Sequence, residues 1–280
     1  SSFAHQEGAV SGEVRLDPMT AVPFCVLDAR ARGAGQAQPR PRTRGGGGDK
    51  FFFNLVVCHD FFETFERLKI FLRPMVNSYP GMQVLLWNYP GQAFTEFRED
   101  QVLNNEYLAS CLHQVLLHVG PGGAGHFDAA RPFYLLGFGN GASVAAFYAA
   151  HYSNPSLRAL LPVNGFLHVD EALAATLHDC VNVFSCTPAS RPDLPVYFYS
   201  RFLFSSGYLA QVSTPLALNL YTAVHCPISV EGRIQLAVGA LSHTDLRDLI
   251  GDLEIPIIAL HSTQDRLVRP AAAEGWLQGR

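Results

Sequence analysis

Residues Phe133–Tyr148 read FYLLGFGNGASVAAFY. An apolar run ends at a Gly-x-Gly-x-Gly turn, and a run of small, helix-forming residues follows it. The periodicity changes at the glycines, so the stretch reads as strand, tight turn and helix. In its G-x-S-x-G form, a turn of this shape presents a serine hydroxyl from a strained backbone position for nucleophilic attack. Here the five residues are Gly137, Phe138, Gly139, Asn140 and Gly141, and the serine's place is taken by a glycine. The nearest hydroxyl, Ser143, lies four residues past Gly139, about one helical turn too late for that position. Its small side chain reads as close packing of the helix on the sheet.

Working outward, FFFNLVV (51–57), MQVLLWN (82–88) and LRALLPVNGF (157–166) are apolar runs bounded by turn residues, as expected of strands buried on both faces. Amphipathic helices are predicted between them over Phe62–Met75, closed off by Pro74, and over 104–119. Strands alternating with helices at this spacing predict a mostly parallel sheet built from right-handed crossovers. AVPFCVLDA (21–29) is a further candidate strand, whereas residues 1–20 are polar and aperiodic. From 167 to 250 the alternation gives way to short helices with aromatic faces, including VYFYSRFLFSSGYL. A buried strand is expected again at LEIPIIALHSTQD (253–265), and a helix at PAAAEGWL. An insertion between two strands of a parallel sheet reads as a lid over its carboxyl edge, where such folds place their sites.

The predicted division is therefore an N-terminal segment (1–50), an α/β core (51–166 and 251–280) and a helical lid (167–250). The N-terminal segment includes RARGAGQAQPRPRTRGGGGDK (30–50), an Arg/Gly/Pro-rich insertion whose composition is that of a flexible, solvated loop. With 48% hydrophobic and 16% charged residues, the 280-residue chain can bury one large core. Its formal charge of −4 gives no reason to expect nucleic acid or an acidic membrane as a partner. The six cysteines form no C-x-x-C pair and read as reduced core residues of an intracellular, cytoplasmic protein. No run approaches the ~18 apolar residues of a membrane span, and Ser1–Val10 has no signal-peptide pattern.

Gly137, Gly139 and Ala142 also satisfy the looser G-x-G-x-x-A form of a dinucleotide-binding turn. No carboxylate stands at the ~20-residue offset of a ribose partner, the first acid afterwards being Asp170, and the strand is the third of its series rather than the first. Other landmarks follow the layout of an α/β hydrolase. His59-Asp60 follows the first patterned strand, where hydrolases carry an oxyanion loop. Asn88-Tyr89-Pro90-Gly91-Gln92 follows the next strand, and Asp265, in HSTQDRLVRP, stands at the acid position of a triad. A histidine is expected last, and no residue after Asp265 is one. Cys58 and His59 are adjacent on a strand and point to opposite faces, which argues against a Cys/His pair.

These residues resemble the N-myc downstream-regulated (NDRG) family of α/β-hydrolase-fold proteins, at Cys58-His59-Asp60, at Pro90-Gly91-Gln92 and at the serine-free elbow Gly137 to Ala142. The resemblance implies a fold that has lost hydrolase chemistry. The expectation is a catalytically inactive α/β-hydrolase-fold protein that binds other proteins as a scaffold or structural component, with a cytoskeletal association following only from that reading. Gly139, Asp265 and His59 are then vestigial positions. The alternatives are an active enzyme of unusual mechanism that uses His59, Asp60 or Asp265 on a small substrate, and a dinucleotide-binding protein. No cofactor and no metal are expected; His113 and His118 are five apart, not at the i, i+4 spacing of a zinc pair.

Overall fold

Six strands pair into one sheet, formed by β1 (Ala9–Asp17), β2 (Thr20–Asp28), β3 (Asn54–Cys58), β4 (Gln83–Trp87), β5 (Phe133–Phe138) and β6 (Leu157–Val163). The structure is a computed structural model. It describes residues 8–28 and 54–277, apart from 62, 80, 121–125, 189, 192–193, 196–201, 203 and 212–228. The Arg-rich insertion, Phe51–Phe53 and much of the aromatic part of the 167–250 segment therefore lie outside the described residues. The strand order is β1-β2-β4-β3-β5-β6. β4, β3, β5 and β6 run parallel, and the β1–β2 hairpin adds antiparallel to β4. The sheet thus takes in residues 9–28, most of which sequence patterning leaves out. β1 is an edge strand on which only Val14 is buried, so it carries no apolar alternation to read.

Every residue of β3 and β4 is buried, as continuous apolar runs predict. The two-residue period of the strands divides their side chains between two cores. Val56, Cys58, Leu85 and Trp87 join helices α2 (Asn105–Val119) and α3 (Asn140–His151) on one face. Leu55, Val57, Val84 and Leu86 meet α1 (Phe65–Ser78) on the other. The α1 helix runs past Pro74, which was expected to close it. Proline removes only the hydrogen bond to the Ile70 carbonyl, and Ile70 is exposed, so water can satisfy that group.

After β6 come α4 (Glu171–Ser185), α5 (Ser206–Gln211), α6 (Val230–Leu241) and α7 (Arg247–Ile250). The α4 and α6 helices pack on one another. The α6 helix also docks on the loop after β4, where Gln92 Nε2 donates to the Gly232 carbonyl at 2.7 Å. The strand expected at 253–265 proves to be an edge strand rather than a buried one. It forms two parallel bridges to β6, Leu160 with Ile257 and Val163 with Leu260, and leaves Ile258 62% and Leu260 66% exposed. A short α8 (Pro270–Glu274) follows, and the buried Trp276 indole donates to the Gly165 carbonyl at 3.0 Å. Five cysteines are free among the described residues; four are core residues, but Cys186 is exposed. No helix among the described residues is long and apolar enough to cross a membrane.

Candidate active site

The glycine turn joins β5 directly to α3. Gly139 has φ 48° and ψ −113°, a backbone that side chains rarely adopt, and its amide donates to the Val163 carbonyl at 2.9 Å. Its neighbours are glycines for a different reason. A Cβ at Gly137 would fall on the backbone of Ala142, and one at Gly141 on the Cys58 carbonyl. Strand, helix and the end of β3 therefore meet with no room for a side chain. The strained turn is kept in full.

A carboxylate occupies the space in front of it. A Cβ built on Gly139 would collide with the side chain of Asp60, whose Oδ1 accepts the Asn140 backbone N–H at 2.8 Å. That amide belongs to the residue after the nucleophile position, the one that in an elbow helps to bind an oxyanion. It is also the first amide of α3, where the helix favours negative charge. Burial nevertheless pushes the Asp60 carboxyl up to about 7, and the negative charges of Glu63 and Asp265 add to the rise, against the Asn140 hydrogen bond that lowers it.

Asp265 opens onto the same pocket, a cavity of about 200 Å³. Its Oδ1 accepts the backbone N–H groups of Leu267 and Val268, each at 2.9 Å. Burial raises its carboxyl as well, more than these amides and His261 lower it. The cavity is bordered by Glu63 and Arg67, which pair at 2.7 Å, and by the rings of Phe138, Phe202 and Phe204. Burial also raises Glu63, against the lowering pull of the Arg67 and Arg233 charges.

His59 does not border this pocket. It is buried behind the turn, with Nδ1 donating to the Asp60 carbonyl at 2.7 Å and Nε2 accepting the Tyr89 amide at 3.3 Å. Its ring stacks on Tyr89 at 3.9 Å, and the Tyr89 hydroxyl donates to the His59 carbonyl at 2.7 Å. Burial drives its pKa down to about 3, so the imidazole stays neutral and supports the Asp60 backbone. Cys58 is buried too, and desolvation lifts its thiol to about 12. Ser143 is buried against α2, accepting from Asn105 Nδ2 at 3.2 Å. A dinucleotide phosphate has no seat at the α3 N-terminus, because the protein's own Asp60 carboxylate is bound there.

Three polar side chains of the pocket, Glu63, Arg67 and Asn164, were not singled out as site residues from sequence. Glu63 and Arg67 carried a readable signal, an acid–base pair at i, i+4 around the start of a helix. Asn164 lines the pocket in a left-handed conformation, φ 50°, and its Oδ1 accepts the Ser262 amide at 2.7 Å. Its Asn-Gly dipeptide was the available sign.

A mostly parallel sheet, an elbow at the third parallel strand and a helical insertion before the acid-bearing loop decide the architecture. The fold is that of the α/β hydrolases. No family model matches the chain, and no curated protein matches it. Solved structures do. An enol-lactonase from Burkholderia xenovorans superposes with a TM-score of 0.70 at 13% identity, over 96% of this chain and 87% of that one. A hydrolase from Pseudomonas aeruginosa gives 0.68 at 13% identity, over 95% and 85%. A bromoperoxidase from Bacillus anthracis gives 0.68 at 16% identity, over 96% and 86%. At identities this low the likeness shows the fold alone. The structures compared bear the names of hydrolases, esterases and a bromoperoxidase rather than of binding proteins, which speaks against the expectation of a non-enzyme.

Proposed function

We propose that the protein is an enzyme of unusual mechanism that acts on a small substrate, with Asp60 as its acid–base group and Asp265 as a second carboxylate in the same pocket. One observation carries this reading: the Asp60 carboxyl occupies the space of the missing nucleophile and is held to about 7 by its surroundings. A general base works best with a pKa near the operating pH. In its ionised form Asp60 takes a proton from a water or from the substrate, and it returns the proton as the product forms. The two backbone amides on Asp265 Oδ1 fix that carboxylate beside the reacting atoms. An acyl-enzyme on a serine has no place in this scheme. In this reading the described helices of the 167–250 insertion, α4 and α6 among them, act as a lid on the α/β core. Of the NDRG-like turns, Cys58–Asp60 carries the acid–base group, whereas Pro90–Gln92 and Gly137–Ala142 shape the surroundings and supply no proton transfer.

The test is turnover of small esters, lactones and amides, with and without an amino group, by the wild-type protein and by Asp60→Asn, Asp265→Asn and Ser143→Ala. Asp60→Asn is expected to lose roughly 100-fold or more in rate, while Ser143→Ala keeps the wild-type rate. Wild-type kcat/KM should rise as pH increases through about 7, where Asp60 ionises. A folded wild-type protein with no turnover on the panel, or an Asp60→Asn variant with the wild-type rate, would overturn the reading.

A further inference from the structure

The same pocket constrains the charge of what enters it. Among the described residues that line it, the carboxylates are Asp60, Glu63 and Asp265, and the guanidinium is Arg67, which Glu63 engages at 2.7 Å. An anionic ligand finds the usual anion donor taken, since the Asn140 amide already binds Asp60 Oδ1 at 2.8 Å. Among the described lining residues, carboxylates outnumber the guanidinium three to one. Two neighbouring, partly buried carboxylates must share a proton or a counter-cation, because desolvated like charges raise each other's energy.

We propose that the substrate of this pocket carries a small organic cation, an amine or quaternary ammonium centre, seated between the Asp60 and Asp265 carboxylates and bordered by the rings of Phe138, Phe202 and Phe204. This rests on the enzyme reading above and deepens it. Ring faces attract a weakly hydrated organic cation. A metal ion suits the site less well: among the described residues no group of three or more His, Cys, Asp or Glu could hold one. The cavity of about 200 Å³ limits the ligand to a compact molecule. Ligand charge and the shared proton then compete for the same carboxylates. The charged groups around Asp60 are Glu63 and Asp265 in the pocket, Arg67 and Arg233 acting through Glu63, and the Tyr89 hydroxyl behind. His59 stays neutral, and His261 acts on Asp265.

The experiment is calorimetric titration of the whole chain with choline, with its uncharged carbon isostere 3,3-dimethylbutan-1-ol, and with acetate, at pH 6 and pH 8. Choline is expected to bind at least roughly ten-fold more tightly than the isostere, to tighten at pH 8, and to release protons on binding at pH 6. Acetate should not bind. Asp265→Asn should weaken choline by roughly ten-fold with little effect on the isostere, and Phe204→Leu should weaken it by a smaller factor. Equal binding of choline and isostere, no choline binding at about 10 mM in a folded protein, or no change between the two pH values would overturn the proposal. If cation binding fails while Asp60→Asn still abolishes turnover, only the substrate class falls. If choline binds as expected but Asp60→Asn turns over normally, the acid–base role falls instead.

Discussion

Asp60 holds its proton more tightly in the folded protein than an ordinary carboxyl does, about 7 against ~3.9 in an unfolded chain. Between those two values the folded state binds more protons than the unfolded one, so stability falls as pH rises, and the loss is complete above about 7. Asparagine has the same shape, can still accept the Asn140 N–H, and carries no charge. Asp60→Asn should therefore stabilise the fold by on the order of 1–3 kcal/mol at pH 8 and change it little at pH 4. Thermal melts at the two pH values check this; an equal shift at both would refute it. The variant that loses activity should be the more stable one, as expected of a residue kept for function rather than for the fold. The glycine at 139 was legible as a break in the G-x-S-x-G pattern. The carboxylate that fills its space was not, because Asp60 and Asn140 are 80 residues apart and no local pattern reports such a contact. His59 reads as a catalytic landmark, but burial and two ring hydrogen bonds make it a neutral support.

Helix α6 lies against the β4 loop through its glycines. A Cβ at Gly232 would strike the Gly91 carbonyl, and one at Gly239 the Leu103 carbonyl, two helical turns further on. Backbone cannot yield as a side-chain tip does. Gly232→Ala should cost about 1–3 kcal/mol and loosen the docking of α6 on the β4 loop. The control is Gly207→Ala in α5, where an added methyl meets nothing within 4 Å and the gain in helix propensity should stabilise the helix by up to about 1 kcal/mol. Urea unfolding of the two variants separates these outcomes. Element types were readable wherever an apolar run was buried on both faces, as in β3 and β4. Boundaries were less so. Pro74 fails to end α1 because its lost hydrogen bond falls on the exposed side, which sequence alone does not distinguish.

Across the whole molecule, the chain at 255–260 closes one edge of the sheet while β1 closes the other. Apolar content made 253–265 look like a core strand; being at the edge, it buries one face only. Ile258→Thr and Leu260→Thr should each change stability by no more than about 0.5 kcal/mol, whereas truncating Leu160 to Ala, fully buried in β6, should cost about 2–5 kcal/mol. Chemical denaturation of the three variants checks the contrast. The long reach from Asp60 to the elbow also ties two distant positions into a single choice. Gly139→Ser alone drives a new side chain into the aspartate, and Asp60→Gly alone leaves the Asn140 amide without its acceptor. In the proposed scheme, a serine-based and an aspartate-based centre are thus alternative settings of the same scaffold. A mutational path between them is open only where both changes arrive together.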